Sequence, residues 1–103
     1  MKITSLDPKT VEVSGLLELV AANTATIRDA IRAALPETCV QLDIDLSQIG
    51  FLDSSGLGAL LSLHKTLRAR QGAVRLINPT QQVLQILELT RLHRVFEIVK
   101  TPS

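Results

Sequence analysis

A chain of 103 residues, 46% of them hydrophobic, is long enough for one domain with a single core and too short for two. Its 11 basic and 10 acidic side chains nearly balance and are scattered along the chain, so we expect no electrostatic surface for nucleic acid. One cysteine and two aromatic residues exclude an internal disulfide, a thiolate metal cluster and an aromatic platform for stacked bases.

No segment has the apolar length of a signal peptide or of a membrane helix. The first ten residues are mixed in character, and no later window approaches the roughly 18 uncharged apolar residues that a membrane helix needs. Cys39 stands in an apolar, strand-like stretch, which is typical of a buried and unreactive thiol. We therefore expect a cytoplasmic protein without membrane insertion and without a cofactor or metal.

The first third of the chain predicts a hairpin followed by a helix. Residues 10–17 begin with alternating valines and are expected to pair with residues 2–6 across the Asp7-Pro8 turn. After Asn23, a candidate N-cap, apolar residues recur at intervals of three and four until Pro36. This change of period predicts the first helix.

The middle of the chain predicts a strand and a second helix. Residues 39–46 alternate between apolar and polar side chains, which indicates a strand near the centre of a sheet. Residues 55–70 predict a helix that ends at Gly72. The predicted apolar face of this helix consists of Leu57, Leu60, Leu61 and Leu67.

The last third predicts a strand at residues 73–77 and a third helix that ends near Thr90. Asn78 as N-cap, Pro79 at the first helical position and Gln81 reaching back resemble a capping box.

A final short strand is expected at residues 95–99. Strands therefore alternate with helices after the hairpin, and this order predicts an α/β fold in which helices pack on a sheet.

One segment, Asp53-Ser54-Ser55-Gly56-Leu57-Gly58, combines polar and glycine residues at the start of the second helix. The polar groups can serve as an ordinary helix cap, because Asp and Ser are preferred there and the helix dipole favours negative charge. The two glycines need another explanation, since each costs a helix about 1 kcal/mol relative to alanine. They predict close approach of another backbone and a contact surface.

The segments DLSQIGFLDSSGLGALLSLHK and VRLINPTQQVLQILELTRLHRVFEI together resemble the anti-sigma factor antagonist family, the bacterial STAS domains. The resemblance covers roughly residues 9–99, and the DSSGLG box combined with the NPT helix start is its specific part. It implies one STAS-type domain, with a mixed sheet of about five strands and helices mainly on one face.

The same resemblance implies partner switching in transcriptional regulation. The unmodified form would bind an anti-sigma factor that is also a serine kinase and so free the sigma factor, and a phosphatase would reset the switch. The residue implied as phosphate acceptor is the serine directly after the aspartate, Ser54. Asp53, Ser55, Gly56, Leu57 and Gly58 are implied to form the surrounding partner surface of a monomer or weak dimer.

Phosphorylation of Ser54 is expected to switch off binding rather than folding. A phosphoryl group adds about −1.5 to −2 charges, which the N-terminus of a helix tolerates. In an interface, the same group would have to lose its water beside Asp53, which repels it.

The chain departs from the family pattern in the loop before the first helix, where the family has Gly-x-Leu-Asp. Glu18 or Asn23 is a candidate to replace that aspartate, or Val20 occupies its place with two extra residues upstream. Leu63, predicted to lie away from the apolar face of the second helix, is either a scattered surface residue or part of the partner surface.

Three other functions were weighed against partner switching. Asp43, Asp45 and Asp53 suggest a magnesium or phosphoacceptor enzyme, but no lysine and threonine pair completes such a site, and no catalytic motif occurs. His64 and His93 are interpreted as boundary or surface residues, not ligands. A scaffold subunit of a lipid ABC transporter or a stress-signalling assembly is the alternative function, and nucleotide binding is a third.

Overall fold

Seven strands and three α-helices alternate along the chain in the computed structural model, which describes residues 1–101. The strands are β1 (Lys2–Asp7), β2 (Thr10–Ser14), β3 (Glu18–Leu19), β4 (Gln41–Asp45), β5 (Phe51–Leu52), β6 (Ala73–Ile77) and β7 (Glu97–Val99). The helices are α1 (Thr24–Ala34), α2 (Ser54–Arg68) and α3 (Gln81–Leu89), and a 3-10 turn spans Leu92–Arg94.

Five of these strands form one sheet in the order β1-β2-β4-β6-β7. The hairpin pair β1–β2 is antiparallel, whereas β2–β4, β4–β6 and β6–β7 are parallel. The sheet is therefore mixed, with β4 at its centre as the alternating pattern predicted. The two remaining strands, β3 and β5, form a small parallel pair beside the N-terminus of α2.

The two faces of the sheet differ in character because side chains alternate along each strand. Val13, Ile44 and Leu76 lie on one face and are completely or almost completely buried. Buried apolar residues of all three helices join them in a single core. Polar side chains such as Glu12, Asp43 and Arg75 lie on the opposite face. The predicted α/β fold, with helices mainly on one face, is confirmed.

The N-terminal hairpin is confirmed, but its second strand is shorter than predicted. β2 ends at Ser14, and Gly15 then turns the chain with a φ of +75°. Such a left-handed conformation suits glycine, which has no Cβ to clash with the backbone. Residues after this turn enter the loop that leads through β3 to α1 rather than extending the strand.

Helix α1 begins after Asn23 as predicted, but the Asn23 side chain does not cap it. Its Oδ1 atom instead accepts a hydrogen bond from the Val20 N–H at 2.9 Å, and its Nδ2 atom donates to the Glu18 carbonyl at 3.1 Å. Asn23 thus closes the loop before α1 on itself.

The predicted face of α2 is wrong for Leu63. Its side chain is only 2% exposed and packs in the core, so it cannot belong to a surface beside Ser54. The physical reason is that α2 contacts α1 as well as the sheet, so its apolar arc is wider than one stripe. Gly56, Leu60, Leu63 and Leu67 follow one another at intervals of three and four along the buried side.

The exit from α2 also differs from the prediction. Gln71, not Gly72, adopts the left-handed conformation that ends the helix, with a φ of 59°. Gly72 is required for a different reason, because a Cβ atom there would lie 2.3 Å from the Val40 carbonyl oxygen.

The predicted capping box of α3 is wrong. Thr80 is the N-cap, and its hydroxyl accepts a hydrogen bond from the Val83 N–H at 3.4 Å. Asn78 has a φ of 51° and bonds to Thr101 through both ends of its amide. Pro79 precedes the helix, so α3 starts two residues later than expected.

Two further features concern buried and apolar segments. The Cys39 side chain is buried, as its apolar neighbours predicted. Among residues 1–101, no helix combines the length and the apolar character that crossing a bilayer requires.

Candidate functional site at the N-terminus of α2

The candidate site lies at the edge of the sheet where β2 and β4 end. These neighbouring strands are parallel, so the segments that follow them, residues 15–23 and 46–53, emerge at the same edge. Within these segments, β3 and β5 pair, and α2 begins directly after them. The DSSGLG motif therefore sits between a helix start and a neighbouring loop.

Asp53 links the two segments with its single carboxylate. Its Oδ1 atom accepts from the Gly56 N–H at 3.0 Å and caps α2, while its Oδ2 atom accepts from the Ala21 N–H at 3.1 Å. The Asp53 N–H in turn donates to the Leu19 carbonyl at 3.1 Å. The N–H of Gly56 lowers the pKa of this carboxyl group below its usual value, against partial desolvation and with help from Ala21. Asp53 is therefore an anion that fixes the loop.

Gly56 lets the loop pack directly against the start of α2. A Cβ atom at this position would lie 2.5 Å from the Leu19 carbonyl oxygen and 2.9 Å from the Leu19 Cβ. The predicted close approach of a backbone is confirmed here, and that backbone belongs to the chain itself. At Gly58, by contrast, a Cβ atom would meet nothing within 4 Å. The prediction of a close approach is therefore wrong for Gly58 within this structure.

The two serines of the motif differ in accessibility. Ser54 is the first residue of α2 and is exposed, whereas the adjacent Ser55 is half-buried. Leu57 is partly buried and packs against the core, and Gly58 is exposed. Ser54 is thus the more accessible hydroxyl group for an enzyme that approaches this helix end.

The three candidates for the family's loop aspartate occupy different environments. Glu18 is exposed and lies opposite Phe51 in the β3–β5 pair, whereas Val20 is half-buried. Asn23 is occupied by its bonds within the loop. Glu18 is therefore the one carboxylate of this loop that faces solvent.

Two exposed apolar residues of the site were missed by sequence reasoning. Phe51 is 60% exposed, and Leu17 is 67% exposed. The Gly50 N–H donates to the Leu17 carbonyl at 2.9 Å, so the two residues flank the same small strand pair. The available signal was alternation in β5: if Leu52 points into the core, Phe51 must point out.

The start of α3 supports the segment from behind. The Thr80 hydroxyl donates to the Ile49 carbonyl at 3.3 Å, one residue before Gly50. Asp45, which was a candidate to brace the Asp53 loop, instead accepts from the Ser47 N–H at 2.8 Å. The loop is therefore held by backbone contacts and by Asp53 itself.

The acidic residues of the sheet do not join this site. Asp43 lies on the polar face and is paired with the Arg75 guanidinium through two bonds of 2.9 and 3.0 Å. Across residues 1–101, no three histidine, cysteine, aspartate or glutamate side chains come together in a way that could hold a metal ion.

Comparison with known proteins identifies relatives along almost the whole chain. The family model described as the STAS domain matches residues 5–103. The anti-sigma-B factor antagonist of Listeria monocytogenes is 26% identical over 98 residues, which are 95% of this chain and 86% of that protein.

Two solved structures of an anti-sigma factor antagonist, SpoIIAA, share the fold. The unphosphorylated form has a TM-score of 0.84 at 22% identity and covers 99% of this chain and 88% of its own. The phosphorylated form, from Bacillus, has a TM-score of 0.74 at 22% identity and covers 99% and 91%.

Proposed function

Because this chain belongs to the STAS domain family, as its DSSGLG and NPT motifs predicted, we propose that it acts as an anti-sigma factor antagonist controlled by phosphorylation. In this function the unmodified chain binds an anti-sigma factor that is also a serine kinase, and the bound sigma factor is released. The names of its relatives support the class of partner. The protein then regulates by binding and has no turnover of its own.

The observation that carries the phosphorylation proposal is the exposed position of Ser54 at the first residue of α2, directly after the capping Asp53. The kinase transfers the terminal phosphoryl group of ATP to the Ser54 Oγ, and ADP and the hydroxyl proton leave. Half-buried Ser55 is a poorer acceptor because its hydroxyl is less accessible. Backbone N–H groups at a helix N-terminus tolerate the added negative charge, so the fold survives.

Phosphorylation acts on binding because of what surrounds Ser54. A phosphoryl group there stands beside the Asp53 carboxylate, which remains charged because backbone N–H groups lower its pKa. In a docked complex both charges would be desolvated together, and the added bulk would separate the two surfaces. The unmodified hydroxyl carries neither penalty. The modified chain therefore releases the anti-sigma factor and awaits a phosphatase.

The test is phosphorylation and binding with purified candidate anti-sigma factor kinases from the same organism. With ATP, the wild-type chain should gain one phosphoryl group by intact mass, and fragment mapping should place it on Ser54. The matched controls are Ser54→Ala, which should gain none, and Ser55→Ala, which should be modified like the wild type.

Binding is then compared between the two forms by calorimetry. The unmodified chain should bind the kinase, and the phosphorylated chain should lose at least tenfold in affinity while keeping its circular dichroism spectrum. Full phosphorylation of Ser54→Ala would contradict the site. Binding to a transporter ATPase subunit, with no kinase bound, would contradict the switch and support the scaffold alternative.

A further inference from the structure

The candidate site carries an exposed apolar pair, Leu17 and Phe51, for which the contacts within the chain give no use. Phe51 is 60% exposed and Leu17 is 67% exposed, although other large apolar residues of these two segments, such as Leu19 and Leu52, are buried. The hydrogen bond from the Gly50 N–H to the Leu17 carbonyl places the two residues on one strand pair. Exposed apolar side chains gathered in this way mark interaction sites.

This pair adjoins the phosphate-acceptor end of α2. Phe51 precedes Ser54 by three residues, and the intervening Leu52 and Asp53 are fixed by the core and by the loop. Bonds from Asp53 to Leu19 and Ala21 connect α2 to the same segment that carries Leu17. A partner that reaches Ser54 therefore meets the apolar pair on its way.

The charge pattern of the chain indicates what kind of surface would fit. No lysine or arginine occurs between Lys9 and Arg28, or between Arg32 and Lys65. These two cation-free stretches contain both segments of the site. Arg28, the first cation of α1, is paired with Asp29 at 3.1 Å. The cations of α2 lie toward its other end, because Lys65 is eleven residues beyond Ser54, about 16 Å along a helix axis.

Within this end, Glu18 is the exposed acid that the loop leaves without a partner. It faces Phe51 across the β3–β5 pair, whereas the Asp53 carboxylate is used by backbone donors. An apolar centre with one free carboxylate at its rim is complementary to an apolar pocket that has a cationic edge. A basic side chain opposite Glu18 would also assist encounter between the two proteins.

We propose that Leu17 and Phe51 are the apolar anchors by which this chain docks onto its anti-sigma factor, with Glu18 facing a cation at the rim. This inference rests on the proposed function and adds the residues that determine recognition. It also gives the phosphoryl group a role in undocking, because bulk and charge on Ser54 would hold the adjacent anchors away from their pocket. The partner surface is therefore apolar and basic.

The test measures binding of the purified anti-sigma factor kinase to the wild type, Phe51→Ser, Leu17→Ser and Glu18→Lys. Each anchor substitution should lower affinity about tenfold or more, as expected for buried apolar anchors at the centre of an interface. Glu18→Lys should slow association at low salt and weaken the salt dependence of the association rate, because it replaces attraction with repulsion.

The matched control is Leu89→Ser, because Leu89 is 85% exposed and is the last residue of α3. It lies nine residues beyond Thr80, about 13 Å along the helix axis from the contact with Ile49. This variant should bind like the wild type. All variants alter exposed side chains, and equal melting temperatures will confirm that they fold.

The outcomes separate the two proposals. Wild-type binding with tenfold weaker anchor variants and an unchanged Leu89→Ser supports the surface. Wild-type binding with Phe51→Ser and Leu17→Ser at full affinity overturns this inference and leaves the proposed function standing. Absence of wild-type binding to every anti-sigma factor kinase of the organism overturns the proposed function and the inference with it.

Discussion

Asp53 shows how one residue can serve the fold and the switch at the same time. Its carboxylate caps α2 through Gly56 and holds the loop through Ala21, so the helix start and the loop keep a fixed relation. The same charge lies beside Ser54, where it opposes a second negative group in a desolvated interface. Capping and switching are therefore not alternative explanations of the motif, because one carboxylate can contribute to both.

At the residue scale, Leu63 is a core residue rather than a surface residue. Its 2% exposure predicts that Leu63→Ala lowers the free energy of unfolding by about 2–4 kcal/mol, through lost burial and the cavity left behind. Urea unfolding followed by circular dichroism measures this change. The control is Leu89→Ala, whose side chain is 85% exposed and whose change should stay within about 0.5 kcal/mol. A similarly small effect for Leu63→Ala would show that the helix face is assigned wrongly.

At the element scale, the two glycines of α2 should respond to alanine in opposite directions. Gly56→Ala places a Cβ atom 2.5 Å from the Leu19 carbonyl oxygen, so we expect destabilisation by about 1–3 kcal/mol. Gly58→Ala meets open space and removes the backbone entropy of glycine, so we expect stabilisation of up to about 1 kcal/mol. Thermal and urea unfolding of the pair test this, and equal effects of the two substitutions would contradict it.

The start of α3 gives a second prediction at this scale, which separates the observed cap from the capping box. Thr80→Ala removes the hydroxyl that caps the Val83 N–H, so it should cost about 1 kcal/mol of stability. Gln81→Ala should change stability by less than about 0.5 kcal/mol, since Gln81 is exposed and makes no capping contact here. The reverse order of effects in urea unfolding would restore the capping box.

At the scale of the whole molecule, His64 connects α2 to the end of the chain. Its ring meets the buried Phe96 edge to face, with centroids 5.4 Å apart, and its buried Nδ1 atom has no hydrogen-bond partner among the described residues. Burial lowers the pKa of His64 below the ordinary value of 6.5, with help from the positive charge of Arg68. The neutral ring is therefore the form that the folded state favours.

This shift makes stability depend on pH in a defined direction. When the pKa is lower in the folded state, the unfolded chain binds more protons, so stability decreases as pH falls from 6.5 toward the folded value. Urea unfolding at pH 7.5, 6.5 and 5.5 should show a larger loss for the wild type than for His64→Gln, which cannot titrate. Parallel losses in the two proteins would mean that His64 does not carry the dependence.

How much the sequence predicts can be followed from particular residues. Alternation in residues 39–46 predicted the central strand, and the period of three and four after Asn23 predicted α1, because these patterns are local and periodic. The DSSGLG box predicted the helix start that carries Ser54. The Asn78 cap was wrong, since a sequence pattern shows that a cap is available and not which residue the chain uses.

The sequence by itself determined the α/β order, the family and the segment in which Ser54 lies, because each depends on neighbouring residues. Only the tertiary structure decided that Leu63 is buried, that Gly56 meets Leu19 and that Leu17 and Phe51 stand exposed together. These features depend on contacts between segments some thirty residues or more apart. Which side of an element faces its neighbour is fixed by packing, and local periodicity does not contain that information.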